Sequence, residues 1–276
     1  MIGIKEITSK DNAIFKLIKS LKVKKNRIRE ALFVVEGPKQ AIEAGTSRYK
    51  IRYLVVRRDK LEFFKGVGFF EKICCSDIEI ISMDESLFRQ IADTENSQGV
   101  LAVLSYDMLS DEDLMRQIPK DSNVLVLDRL QDPGNIGTLV RTAEGAGFKA
   151  VILLKGSGDV FSPKAIRAGG GATLRMPVTI VDEAKSVRRL SDRFSKRLVV
   201  TDVASGLAYY DVDLSENVLL VMGNEGRGVS KELLNLADVK INIPTEGLLE
   251  SLNVATAGAV LMMDSLRQSK NKIGRG

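Results

Sequence analysis

Histidine is absent from all 276 residues, and so is tryptophan. Without histidine, Ser-His-Asp and Cys-His chemistry is excluded, and any general base must be Asp, Glu, Lys, Arg, Tyr, Cys or the substrate itself. Cysteine is almost absent as well: Cys74 and Cys75 are adjacent, with no histidine to join them. That pattern argues against a disulfide framework or a zinc site, predicts no metal, and suits a reducing cytoplasm. No apolar run reaches the length of a membrane span. The opening MIGIKEITSKDN lacks an apolar signal core, so export is not expected. Hydrophobic residues still make up 44% of the chain, enough for real cores, and the length suits two domains better than one.

Charge is unevenly spread. Residues 1–104 hold 19 Lys/Arg against 14 Asp/Glu, which accounts for the net +5; the remaining 22 and 22 cancel. Within the first part, Lys10, Lys16, Lys19, Lys22, Lys24, Lys25, Arg27 and Arg29 face Asp11 alone. A one-sided basic stripe suits a polyanion, nucleic acid first; a plain solvated helix face is the alternative.

Ser9–Leu21 reads as an amphipathic helix, with Ile14, Leu17, Ile18 and Leu21 at helical spacing. Strands are expected at Leu32–Val35, Tyr53–Val56, Ile78–Ile81 and Val100–Leu104. Ser82 with Glu85 fits a capping box that opens a helix to about Ala92. This is an α/β module of about 105 residues by the alternation of its patterns. Ser105–Ser122, rich in Asp and containing Pro119, reads as a linker with a short helix. A second module follows. Its strands are expected at Val124–Leu127, Ala150–Leu154, Val178–Val181, Leu198–Thr201, Val218–Met222 and Val239–Ile243, with helices between them. Short βα loops in such a series imply a parallel sheet. The helix at about Asn253–Gln268 is apolar on nearly every face, so burial is expected.

Three loops stand at expected strand ends: Asp128–Gly137, Gly223–Gly228 and Pro244–Asn253. Ligands of open α/β sheets bind at the carboxyl ends of strands, so the three should converge. They offer Asn135, Arg141, Asn224, Glu225, Arg227, Ser251 and Asn253. PGNIG is not a dinucleotide fingerprint, and GNEGRG lacks the Lys-Ser/Thr of a P-loop. The polar set suits instead a neutral-to-cationic cofactor held largely by backbone. Arg141 could polarise a hydroxyl or meet a phosphate, or only form a surface salt bridge. Asn135 could cap its helix, and Ser251 and Asn253 could do no more than cap theirs.

DPGNIGTLVRTAEGAG (132–147), VMGNEGRGVS (221–230) and IPTEGLLESLNVATAGAV (243–260) resemble, in order, the motifs of the SpoU (TrmH-type) branch of the SPOUT RNA methyltransferases. ITSKDNAIFKLIKSL and FVVEGPKQAIEAG resemble the L30e-like substrate-binding domain often found ahead of such catalytic domains. The resemblance implies an L30e-like RNA-binding α/β domain over 1–105, a linker over 106–121, and a SPOUT α/β catalytic domain with a deep trefoil knot over 122–276. It further implies methyl transfer from S-adenosylmethionine to a ribose 2′-OH in RNA by a cytoplasmic homodimer. Large-subunit rRNA is favoured over tRNA because that accessory domain grips folded RNA. A base methyltransferase and a non-catalytic ribosome-assembly factor are the other readings. In the family, Arg141 matches the arginine that activates the 2′-OH, although free arginine is too basic to act as a base unaided. Asn135 and Glu225 match residues that arrange it, and Ser251 and Asn253 match residues of the cofactor and target pocket. Met222, Gly223, Asn224, Ile243 and Leu252 would also touch the cofactor, and Arg227 is a weaker candidate in the same loops. The chain departs from many relatives at RAGGGA (167–172), where a Ser is common near the first Gly position, and at Ser97, where His precedes Gln-Gly.

Overall fold

The computed structural model describes residues 3–73, 78–246 and 251–273; Cys74, Cys75 and Gly247 lie outside them. The chain divides into two compact units. One comprises Met1–Asp107 together with Phe161–Ile166, the other Met108–Val160 together with Arg167–Gly276.

The first unit runs β1 (Ile4–Ile7), α1 (Ala13–Ser20), α2 (Lys24–Glu30), β2 (Leu32–Glu36), α3 (Pro38–Gly45), β3 (Lys50–Arg57), α4 (Leu61–Gly66), α5 (Phe69–Ile73), β4 (Glu79–Met83), α6 (Glu85–Ile91) and β5 (Val100–Ser105). Its sheet has the order β1-β4-β3-β5-β2. The β1–β4 and β3–β4 pairs are parallel, and β3–β5 and β2–β5 antiparallel. Helix α1 starts later than its apolar pattern suggests. The Asn12 side chain accepts from the N–H groups of Ile14 and Phe15 and caps it there. The expected capping box is also displaced. Ser82 is buried inside β4, and Asp84 caps α6 by accepting from the Leu87 N–H at 2.9 Å. Strand β1, a four-residue edge with exposed Lys5 and Glu6, carried too little pattern to be anticipated. Phe161 packs in this unit, 4.6 Å from Tyr106 in a stacked arrangement and 4.7 Å from Phe33. A boundary drawn by chain position assigned it elsewhere.

The second unit runs α7 (Asp111–Gln117), β6 (Val124–Leu127), α8 (Pro133–Gly145), β7 (Ala150–Leu154), α9 (Pro163–Gly169, whose first turn belongs to the first unit), α10 (Ala172–Arg175), β8 (Val178–Val181), α11 (Ala184–Arg193), β9 (Arg197–Thr201), β10 (Leu207–Ala208), β11 (Val218–Met222), α12 (Lys231–Leu236), β12 (Val239–Asn242) and α13 (Val254–Ile273). The sheet order is β10-β12-β9-β11-β6-β7-β8, with every recorded pair parallel. Strands β6, β7 and β11 are buried along their whole length, as their unbroken apolar runs require of a sheet covered on both faces. The chain leaves β6 toward β7 and β8, then crosses to build β9, β11 and β12 on the other side. The switch point therefore lies between β6 and β11, which is where such sheets hold ligands. Leu127 pairs with Met222, so the loops that follow them start side by side.

Two expectations need correction. The segment 106–121 is not merely a linker: α7 buries Leu114 and Met115 in the core with Val187 and Leu190 of α11. Helix α13 is longer than expected and only one side of it is buried. Val254, Leu261, Met262 and Ser265 are covered, but Met263 is 50% exposed. Counting apolar residues around a helix does not reveal whether anything covers the second face. Among the described residues no helix is long and apolar enough to cross a membrane.

Leu114→Ala should lower stability by about 2–5 kcal/mol, the usual cost of emptying a core leucine site. Equilibrium urea unfolding checks this; a change within a few tenths of a kcal/mol would mean that α7 is a surface tether.

Candidate active site

The loop after β11 is built around one amide. Asn224 Oδ1 accepts from the N–H groups of Gly226 and Arg227 at 3.0 and 3.1 Å. Its Nδ2 donates to the Arg129 carbonyl at 2.8 Å. Backbone bonds between Asn224 and Gly228, 2.9 Å in each direction, close the loop. Only glycine fits at 223, because a Cβ there would lie 2.3 Å from the backbone of Gly228 and Val229. The result is a closed turn in which both ends of the asparagine amide are engaged. Asn224 is therefore a builder of the loop, and a ligand would meet its backbone.

That turn projects Glu225 onto the loop after β6. The carboxylate accepts from the Gln131 N–H, the Asp132 N–H and Asn135 Nδ2, each at 3.2 Å. Burial pushes the Glu225 carboxyl up, but these hydrogen bonds outweigh it and hold the group below its ordinary value. Helix α8 starts where Asp132 accepts from the Asn135 N–H at 2.9 Å with Pro133 at the first helical position. The cap is Asp132 rather than Asn135, which leaves the Asn135 amide free to bridge. Its Nδ2 reaches Glu225 and its Oδ1 accepts a long 3.5 Å bond from Asn253 Nδ2. Asn253 Oδ1 in turn caps α13 through Ala255 and Thr256. The structure thus joins all three loops through Glu225, Asn135 and Asn253. Asn253 both caps and bridges. Ser251 is exposed and does not cap; Leu252 and Ile243 are half-buried.

Arg141 lies on α8, two turns beyond Asn135. It is exposed, and among the described residues it makes no hydrogen bond or ion pair, so the salt-bridge reading of it finds no partner. Its guanidinium rests on the backbone of RAGGGA: a Cβ on Gly170 would lie 3.1 Å from Arg141 Nη1. Gln131, Asp132 and Gly170 were not anticipated as site residues. The Asp-Pro pair at 132–133 did carry a capping signal; nothing local marks the other two.

The basic stripe of the first unit is partly consumed by the fold. Arg27 is buried, 4% exposed, and donates to the Leu21 carbonyl at 2.5 Å, so it is withdrawn as an RNA contact. Its spacing looked like surface, but the turn between α1 and α2 needed a donor. Lys22 donates to the Ala92 carbonyl, Lys16 pairs with Asp11, Lys19 meets Gln90, and Arg29 meets Glu30. Lys10, Lys24 and Lys25 are exposed.

Residues 122–263 match the SpoU rRNA Methylase family, and residues 12–102 match the MRM3-like substrate binding domain. The chain is 32% identical over 265 residues to the 23S rRNA (guanosine(2553)-2′-O)-methyltransferase RlmP of Bacillus subtilis (strain 168), covering 94% of this chain and 98% of that one. It is 30% identical to the AdoMet-bound rRNA methyltransferase of Sinorhizobium meliloti, with a TM-score of 0.84 over 96% of this chain and 98% of that one. The SpoU methyltransferase AviRb of Streptomyces viridochromogenes has the same TM-score at 25% identity, with 95% and 99% covered. A parallel sheet with its ligand loops at the switch point, carrying these motifs, defines a SPOUT-class methyltransferase. The chain belongs to the SpoU rRNA methylase family: it is an enzyme, an S-adenosylmethionine-dependent RNA 2′-O-methyltransferase.

The site fits that cofactor. The backbone packs closely at Gly223, and at Gly206, where a Cβ would lie 2.5 Å from the Ile241 carbonyl carbon. Asn242 Oδ1 is buried without a partner among the described residues, an acceptor suited to an amino or ammonium group. The Glu225 carboxylate is already engaged by the first loop, and Asp132 is engaged in capping α8.

Because Glu225 titrates below the ordinary 4.5, its grip is fully present above that pH and lost as pH falls through the lowered value. Cofactor affinity followed from pH 7 downward should hold until below 4.5 and then fall. Glu225→Gln, which keeps shape but removes the charge, should be weakened already at pH 7 and lack that acid limb. An identical profile in both proteins would contradict the assignment.

Proposed function

We propose that the chain methylates a ribose 2′-OH in large-subunit rRNA, with Arg141 as the residue that meets the target. The observation that carries this reading is the Arg141 guanidinium, without a side-chain partner among the described residues and laid on Gly170 beside loops that Glu225 fastens together. The similarity to the RlmP methyltransferase over nearly both whole chains supports the rRNA target over tRNA.

S-adenosylmethionine supplies a methyl group made electrophilic by its sulfonium. Backbone groups at Met222, Gly223, Asn224 and Ile243, with Ser251, Leu252 and Asn253, would hold it. Arg141 donates to the 2′-oxygen or to the adjoining phosphate and stabilises the negative charge that develops as the oxygen attacks. Glu225 is a poor base, since its hydrogen bonds all favour the ionised form. The hydroxyl proton therefore leaves to a phosphate oxygen of the RNA or to water. Asn135 and Glu225 position; they do not touch the reacting atoms.

The C-terminal segment 241–267 forms the trefoil knot in this reading, and the catalytic unit forms a homodimer. Met263 of α13, a large apolar side chain that is 50% exposed, is the position at which the dimer is tested.

Arg141→Ala should reduce methyl transfer to rRNA by a factor on the order of a hundred, with cofactor binding unchanged. The assay is label transfer from S-adenosylmethionine, mapped as an alkali-resistant linkage. Label in tRNA would overturn the target, and no label at all would favour an assembly factor. Met263→Glu should convert a dimer to a monomer in sedimentation velocity, whereas a wild-type monomer would remove the dimer.

A further inference from the structure

Of the ten phenylalanines in the chain, Phe63 alone is exposed, at 62%. It stands on α4 beside an aromatic row that is otherwise buried. Phe64, the next residue, is 3% exposed and packs on Phe69 at 4.6 Å, and Phe69 packs on Phe70 at 5.7 Å. Phe63 meets this row edge to face through Phe64, with 5.5 Å between ring centres. The ring is thus anchored on the core and open to solvent. Single exposed apolar side chains are ordinary, but this one has company. Val67, one helical turn on, is 47% exposed, and a Cβ added at Gly66 would meet nothing within 4 Å. Phe63 and Val67 form an apolar shelf with open ground between them.

Polar groups border the shelf. Lys60 precedes Phe63 by three residues in helical conformation, which puts the two on one face. The Lys60 stem lies on Gly99, where a Cβ would sit 2.8 Å from Lys60 Cγ; the Gly99 φ of +82° also favours glycine. The Arg57 N–H donates to the Gly99 carbonyl at 2.8 Å, and Ser97 Oγ accepts from the Gly99 N–H at 3.3 Å. Ser97 thereby closes a turn that presents Gln98. The Gln98 side chain is exposed, with its Oε1 3.4 Å from where a Cβ on Gly37 would lie, and its amide makes no hydrogen bond among the described residues. The acids nearby in sequence are held by other cations. Asp59 accepts from Arg57 at 2.6 and 2.8 Å, and Glu62 accepts from Lys65 at 2.7 Å. Lys60 acts on Asp59 through its charge, without a hydrogen bond or ion pair among the described residues. Residues 57–72 hold five Lys/Arg against three Asp/Glu.

We infer that Phe63 takes an unpaired base of the RNA substrate by stacking, with Lys60 meeting a phosphate of the same strand and Gln98 hydrogen-bonding a neighbouring nucleotide. This rests on the RNA methylation proposed above. An aromatic ring with a cation and an open amide beside it suits a single-stranded loop: the base stacks, the phosphate meets the lysine, and the amide reaches a base edge. Charge favours RNA over a second copy of this chain, which would bring an equally basic surface against this one. Phe63, Lys60 and Gln98 all fall within residues 12–102, the span that matches the substrate binding domain. The stripe on α1 and α2, whose cations the fold partly consumes, then supplies attraction rather than readout.

The chain has no tryptophan, so Phe63→Trp places a single fluorescent reporter at the shelf while keeping an aromatic ring there. The probe is large-subunit rRNA from cells lacking this protein, with a fully paired RNA duplex as control. Binding of the rRNA should quench the tryptophan, and the duplex, whose bases are already stacked, should not. Phe63→Ala should weaken rRNA affinity about tenfold. It removes no charge, so the slope of log affinity against log salt should stay as in wild type. Lys60→Ala should instead lower that slope by about 0.7, the share of one phosphate. In methyl transfer both losses should fall on KM, Phe63→Trp should restore it, and the Kd for S-adenosylmethionine should not move. Because Phe63 is exposed, the Phe63→Ala protein should unfold at the wild-type urea midpoint. A tryptophan left unquenched with rRNA bound would overturn the stacking site, as would wild-type rRNA affinity in Phe63→Ala. So would a Phe63→Ala protein that loses self-association but not RNA affinity, which would give the shelf to a second copy. If rRNA quenches the tryptophan but wild type transfers no methyl group, the reaction reading fails while the stacking site stands.

Discussion

A single carboxylate fastens two of the three loops of this enzyme together, and Asn135 carries the junction on to the third through Asn253. Glu225 takes two backbone N–H groups and one side-chain amide from the first loop. Everything around it is arranged to deliver it there. Strands β6 and β11 are neighbours, so the two loops leave the sheet together. Gly223 lets the second loop fold flat onto Val229, and the Asn224 side chain fills and stiffens the turn. The carboxylate also lies at the N-terminus of α8, where the helix dipole favours negative charge. With Asp132 already capping there, Glu225 adds a second acid to the same helix end.

The polar residues of the cleft divide into those the fold has consumed and those it has left free. Asn224, Glu225, Asn135 and Asn253 are spent on one another and on backbone. Arg141 and Arg227 have no side-chain partner among the described residues, while Arg129 faces the buried Asp128 carboxylate at 4.0 Å. In a chain without histidine this division has chemical meaning: the site offers fixed positive charge and geometry rather than a titrating base near neutrality. Such a site suits a reaction whose electrophile arrives activated and whose nucleophile needs only orientation and charge stabilisation.

Much of this architecture was legible in the amino-acid order, for identifiable reasons. Unbroken apolar runs such as Val124–Leu127 and Val218–Met222 mark buried parallel strands, and the loops at their carboxyl ends must share one edge. What was hidden depended on three-dimensional partners. Arg27 has the spacing of a surface cation but its donors satisfy the turn after α1. Ser82 and Asp84 are both capping residues, and only the extent of β4 decides between them. Leu114 and Met115 sit in an acidic, linker-like stretch whose apolar face found the core. Gly170 and Arg129 become visible only as the floor beneath Arg141 and as a left-handed residue at the rim.

The central claim is that Glu225 acts by holding Asn135 and the first loop, not by chemistry of its own. A double-mutant cycle on kcat/KM with Glu225→Gln and Asn135→Ala tests it most directly. Strong non-additivity is expected, with the double variant scarcely worse than the poorer single variant, because either change opens the same junction. Effects that multiply would show two independent roles and contradict it.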